Sequence, residues 1–205
     1  VRIKWSVAKH SGVGQAWSRA GMLGASDVLA RIRPVSALVS TAMGRRWPTD
    51  RSWTESMVRS DAAIRSTGWW MKGSGALEAC ERPLEAPGPG ACIVRVAGCG
   101  LCHTDVGFLF EGVRPRAPLP VVLGHEISGE VVAAGEGAAD LLGRAVIVPA
   151  VTPCGACAAC RAGQGTICSR QCMPGNDVHG GFQTHVVVPA QGLCSVDDPA
   201  ALAGG

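Results

Sequence analysis

The 205-residue sequence has no run of 18 apolar residues, so no segment of it reads as a membrane-spanning helix. No apolar stretch bounded by a cleavage site opens it. A secretory signal is therefore not visible, and a reducing cytoplasm is the expected compartment. Tyr is absent and Phe occurs three times, so the aromatic content rests mostly on six Trp. A G-x-G-x-x-G phosphate-binding fingerprint is also missing. Gly135-Glu136-Gly137 has Asp140 where the third Gly belongs, Gly12-Val13-Gly14 has Trp17, and Gly73-Ser74-Gly75 has Glu78. Each of the three reads as a turn. Acid is scarce at one end only: residues 1–65 carry 11 Lys+Arg against 4 Asp+Glu, whereas residues 66–205 carry 8 against 12.

That charge split marks a boundary. Residues 1–65 show no sustained period of 2 or 3.6. An organelle transit peptide, a basic arm for nucleic acid or an anionic surface, and a poorly ordered extension all suit the composition. We favour the last, with Met57 or Met71 as internal starts and no nucleic-acid partner. From residue 66 the texture becomes that of short, Val-rich strands separated by Gly and Pro. Strands are expected at Thr67–Lys72, Ala91–Ala97, Val121–Leu123, Ile127–Ala134, Ala145–Pro149 and Phe182–Val188. One short helix is expected over His103–Phe110, and a strong turn at Pro87-Gly88-Pro89-Gly90. The pattern is mainly β, a barrel or sandwich rather than alternating βαβ units.

Four of the ten Cys lie within fifteen residues, as Cys154-x2-Cys157-x2-Cys160-x7-Cys168. Gly155, Gly163 and Gly165 let the backbone fold around an ion. Four thiolates with no open position suit a structural zinc. A ferredoxin run begins the same way but continues x3-C-P, and a zinc ribbon needs two paired knuckles with a longer spacer. Disulfides are the remaining alternative. Arg161 and Arg170 are placed to offset the charge of the four thiolates.

A second set follows the Ala91–Ala97 strand: Cys99-Gly100-Leu101-Cys102-His103-Thr104-Asp105, then Gly124-His125-Glu126. A Cys and a His delivered from two strand ends, with carboxylates nearby, form a catalytic-zinc pattern. A Cys99/Cys102 redox pair and a core histidine at position 125 are the competing readings. Asn176, Asp177 and His179 are polar residues in a Gly/Pro loop, able to face a pocket or to be solvated. His185 reads as structural, and Cys80, Cys92, Cys172 and Cys194 as ordinary small residues.

Gly100-Leu101-Cys102-His103-Thr104-Asp105, Gly124-His125-Glu126, the four-Cys lobe and Gly180-Gly181-Phe182 together resemble the medium-chain zinc-dependent alcohol dehydrogenases. The resemblance runs from about Thr67 onward. It implies a GroES-like, partly open β-barrel with a zinc lobe over residues 66–205, followed in such proteins by a Rossmann domain that binds NAD(P). No such domain lies in this chain, which is expected to be incomplete at its C-terminus and inactive alone.

The resemblance implies Cys102 and His125 as catalytic-zinc ligands, with Asp105 and Glu126 beside them as supporting or alternative ligands. It places Thr104 in the proton relay and His103 in that relay or against the NAD cofactor. Cys154, Cys157, Cys160 and Cys168 would hold the structural zinc. Longer stretches, among them Met173–Phe182 and Leu123–Gly129, resemble the 6-hydroxycyclohex-1-ene-1-carbonyl-CoA dehydrogenase branch. They imply oxidation of a ring alcohol on an acyl-CoA thioester, in anaerobic breakdown of aromatic compounds, by a homo-oligomeric parent protein. Another secondary or aromatic alcohol is the alternative substrate. A non-catalytic zinc-stabilised binding module is the remote alternative.

Overall fold

The computed structural model describes residues 64–73 and 75–197. The basic extension expected over residues 1–65 falls, but for its last two residues, outside the described residues, as does Met57. Among the described residues, eight strands and two α-helices follow in order: β1 (Arg65–Gly73), β2 (Ala76–Pro83), β3 (Ala91–Gly100), α1 (His103–Phe110), β4 (Val121–Val122), β5 (Glu126–Ala134), β6 (Ala145–Val148), α2 (Ala158–Arg161), β7 (His185–Pro189) and β8 (Cys194–Ser195). They form two antiparallel sheets, ordered β2-β1-β4 and β7-β3-β5-β6-β8.

β3 lies inside the larger sheet, between β7 and β5, and its sequence suits that place. Cys92, Ile93, Val94, Val96 and Cys99 are all buried, so the strand is covered on both faces, as its near-continuous apolar run requires. Val131, Val146, Val186 and Val188 from the neighbouring strands complete one core with Val121, Val122 and Leu123 of the smaller sheet. Residues 182–184 join the sheets. Phe182 O accepts from Trp69 N, Thr184 N donates to Thr67 O, and Thr184 O accepts from Val96 N. This one segment is hydrogen-bonded to both β1 and β3, which curls the sheets into a partly open barrel.

The expected strands are present, with β3 running three residues further and β7 beginning three residues later than the Val pattern suggested. Helix α1 has the expected bounds. β2 was not expected; its register with β1 sets Glu81 opposite Thr67 and Glu78 opposite Trp70. Exposed ion pairs Arg65–Glu81 and Lys72–Glu78 line its outer side.

Candidate metal centres and their surroundings

The lobe is an excursion between β6 and β7, closed at its neck by a pair of hydrogen bonds. Thr152 N donates to Cys172 O and Cys172 N to Thr152 O, both at 2.8 Å. Within it the Sγ atoms of Cys154, Cys157, Cys160 and Cys168 all lie within 4.8 Å of one another. Cys157 is 3.4 Å from Cys160 and 3.8 Å from Cys168. Four sulfurs at the zinc–sulfur bond length of about 2.3 Å would form a tetrahedron with edges of about 3.8 Å, so the lobe fits the ion.

Backbone N–H groups already point at the sulfurs: Cys154 N and Arg170 N donate to Cys168, and Cys160 N to Cys157. The N–H of Ala156, more than any other group, brings the Cys154 thiol down to about 6. The N–H of Cys160 likewise lowers Cys157. Desolvation, with Cys157 and Cys168 beside it, pushes Cys160 up to about 11. One thiol ionises readily while another resists, so full ionisation of the set calls for a cation in its midst. Arg161 bonds the Ala156 carbonyl.

The second centre is assembled at the start of α1. Cys102 is the N-cap of that helix, and its sulfur accepts from Thr104 N. Asp105 closes the capping box by accepting from Cys102 N at 3.1 Å. Its other oxygen accepts from Gly124 N at 3.0 Å. One fully buried carboxylate thus ties the helix start to the turn that precedes His125. Gly124 has φ +94°, and a Cβ there would stand 2.7 Å from both Cys99 Sγ and Phe182 Cδ1. Only glycine makes this turn at this depth.

His125 is delivered with its Nε2 3.1 Å from Cys102 Sγ. Its Nδ1 is buried, has no hydrogen-bond partner, and lies 3.8 Å from Asp105 Oδ1. Cys102, Asp105 and His125 each bring a donor atom within 4.8 Å of the others. A sulfur, an imidazole nitrogen and a carboxylate oxygen make a donor set suited to zinc. Burial pushes the Asp105 carboxyl up, and the N–H groups of Cys102 and Gly124 pull it back in part.

The other sequence candidates sit around this triplet in different ways. Glu126 is exposed and outside it; its carboxylate lies over Gly100, where an added Cβ would meet Oε2 at 2.0 Å. Thr104 is exposed on the first turn of α1. His103 is exposed beside it, with Nε2 3.5 Å from Glu111 Oε1. Cys99 is buried against Gly124 and Gly181, and desolvation raises its thiol far above the ordinary range. Such a thiol is poorly suited to a redox pair with Cys102.

The Met173–His179 loop lies on the same turn: a Cβ at Gly180 would meet Gly124 O at 2.1 Å. Asn176 and Asp177 are spent inside the loop and on Arg116. Asn176 Oδ1 accepts from Arg116 N, and Asp177 accepts from Met173 N and pairs with the Arg116 guanidinium at 2.6 Å. His179 differs, with its Nδ1 accepting from Val122 N at 3.2 Å. Sequence reasoning missed the group next to His179: Gln183 donates to Gly180 O and accepts from Ser66 and Arg82. These come from three separate segments, and no spacing within the chain announces them.

Residues 88–198, more than half of the chain, match the family of the alcohol dehydrogenase GroES-like domain, and the chain belongs to it. It is a member of the zinc-dependent medium-chain alcohol dehydrogenase superfamily. It is 37% identical over 119 residues to the L-threonine 3-dehydrogenase of Pyrococcus horikoshii, covering 57% of this chain and 34% of that protein. It is 34% identical over 126 residues to the L-galactonate-5-dehydrogenase of Escherichia coli, covering 60% of this chain and 37% of that protein. The chain therefore spans about a third of the length of these relatives. Among solved structures, a zinc-binding dehydrogenase of Sinorhizobium meliloti bound to NADP superposes with a TM-score of 0.60 at 29% identity, covering 68% of this chain and 42% of that one. A cobalt- and zinc-bound alcohol dehydrogenase of Pyrobaculum aerophilum superposes with a TM-score of 0.60 at 26% identity, covering 66% and 42%.

Proposed function

We propose that this chain is the zinc-binding catalytic portion of an NAD-dependent alcohol dehydrogenase. The observation that carries the reading is the meeting of Cys102, His125 and Asp105 at the helix start, beside a separate, closed set of four thiols. Zinc held by Cys102 and His125 would supply Lewis-acid polarisation of a substrate hydroxyl. The chain's own residues do the rest. Asp105 holds the two ligand-bearing segments together and faces the ring of His125. Thr104 and His103 line the exposed side of α1, where a proton leaving the hydroxyl passes to solvent. A nicotinamide cofactor, such as the NADP and NADH that accompany the structural relatives, would supply the hydride acceptor.

The substrate we propose is a cyclic secondary alcohol carried on an acyl-CoA thioester, acted on in the cytoplasm by a homo-oligomer. The Met173–Phe182 and Leu123–Gly129 stretches support it. Polyols and hydroxy acids, the substrates in the names of the relatives, are the second reading.

Metal analysis tests the first part. Two zinc ions per chain are expected, and His125→Ala should remove one while leaving the other. Retention of both in His125→Ala would overturn the catalytic assignment. Assay of the natural gene product with NAD tests the rest. Turnover of the CoA thioester above threonine, polyols and benzyl alcohol is expected. No oxidation of any of them would refute the dehydrogenase reading, and a preference for threonine or polyols would refute the thioester.

A further inference from the structure

Arg82 is a half-buried cation without an anion. Its Nη2 reaches only the neutral Gln183 Oε1, at 3.4 Å, and its Nε is buried with no hydrogen-bond partner. Of the carboxylates near it in the chain, Glu81 pairs with Arg65 and Glu78 with Lys72, and Glu85 is exposed and forms no ion pair with it. Among the described residues none lies within ion-pair distance of Arg82. A guanidinium withdrawn from water and answered only by an amide is costly unless an acceptor joins it.

Gln183 links it to the backbone next to His179. Gln183, which holds Arg82, donates from Nε2 to Gly180 O at 2.8 Å and accepts from Ser66 Oγ at 3.0 Å, so its amide is locked. Gly180 follows His179 directly. Because Val122 N–H donates to Nδ1, that nitrogen carries no proton, and the neutral ring bears its proton on Nε2. Nε2 has no hydrogen-bond partner among the described residues. Burial, and then the Arg82 charge, push the His179 pKa down, so the ring is neutral near pH 7. The place thus offers a guanidinium fork, answered only by the long bond to Gln183, and an imidazole N–H, with no anionic acceptor among the described residues. Val122, whose N–H donates to His179, stands three positions before His125.

We propose that Arg82 and His179 form a binding site for an anionic group, a carboxylate or a phosphate, carried by the substrate. That the anion belongs to the substrate rests on the dehydrogenase reading above; that an anion binds here does not. The planar fork of Arg82 suits either oxyanion, and His179 adds a fixed third donor. Asn176 and Asp177, which the loop composition offered for a pocket, are occupied, which leaves His179 as the loop's free donor.

The test uses the zinc-loaded full chain, labelled with 15N-histidine, titrated with inorganic phosphate at constant ionic strength. A saturable shift of the His179 Nε2 resonance is expected. Arg82→Met keeps the apolar stem, and His179→Asn keeps an acceptor for Val122 N. Each should weaken phosphate binding about tenfold or more, with lobe zinc and the amide spectrum unchanged. Arg82→Lys should fall between. No saturable shift at tens of millimolar phosphate, or equal affinity in wild type and both variants, would overturn the site. Acetate and coenzyme A form the other arms. Tighter coenzyme A supports a thioester's phosphates, and tighter acetate a hydroxy-acid carboxylate. None of these titrations involves turnover, so their failure leaves the metal and alcohol assays to be judged separately.

Discussion

Asp105 shows how much one side chain can organise. Its two oxygens satisfy the N–H of Cys102 and the N–H of Gly124, groups from two segments that each carry a side chain of the proposed metal centre. Replacing it by Ala leaves both N–H groups without their acceptor, at about 1–3 kcal/mol for each one that stays buried. Asp105→Ala should therefore lower the urea midpoint and weaken metal retention at Cys102 and His125. Asp105→Asn keeps one acceptor and should lose less of both. His185 carries a different consequence. Desolvation first, and then Arg95, depress its pKa to about 4. The unfolded chain takes up this proton near its ordinary pKa of about 6.5, the folded chain only near 4. The unfolded state binds more protons between these values, so stability is present above pH 6.5 and lost as pH falls toward 4. In His185→Gln the urea midpoint should fall less over that interval than in wild type. Equal slopes would show that His185 does not contribute.

At the level of elements, the lobe and the barrel strands were legible for different reasons. The C-x2-C-x2-C-x7-C spacing is local, and four thiols within fifteen residues can meet whatever the rest of the chain does. Short Val-rich runs bounded by Gly and Pro likewise declare themselves as strands, whereas the cap that fixes the start of α1 came only with the structure. β2 was not legible because its residues alternate only weakly; its place comes from pairing with β1 across Gly73–Ala76. The lobe is joined to the barrel by the paired hydrogen bonds of Thr152 and Cys172, so its loss should stay local. Cys157→Ser is expected to remove one zinc equivalent and open residues 153–171 to proteolysis. The far-UV spectrum of the barrel should persist, because a structural ion contributes folding energy chiefly to the segment that wraps it. Global unfolding of this variant would mean that the lobe is part of the cooperative core.

For the whole molecule, the closure of two sheets into one barrel depends on residues 182–184 lying between β1 and β3. Gly68 makes the fit possible: a Cβ there would come 2.4 Å from Gln183 Cβ and 2.5 Å from Phe182 O. The obstruction is largely backbone, so it has no rotamer to relieve it. Gly68→Ala should cost about 1–3 kcal/mol of overpacking. It should also separate β1 from the 182–184 segment, measurable as faster amide exchange at Trp69 and Thr184. The sequence by itself determined the four-cysteine spacing of the lobe, the strand-rich character and the family. Those rest on local spacing and local propensity, which a linear chain displays directly. Only the tertiary structure decided that Asp105 and not Glu126 joins Cys102 and His125, that Asn176 and Asp177 are occupied by Arg116, and that Arg82, with no counter-charge among the described residues, is linked through Gln183 to the backbone next to His179. Each of these depends on which segments a twisted, closed barrel brings together, and pairing across 60 to 120 residues leaves no periodic trace in the chain.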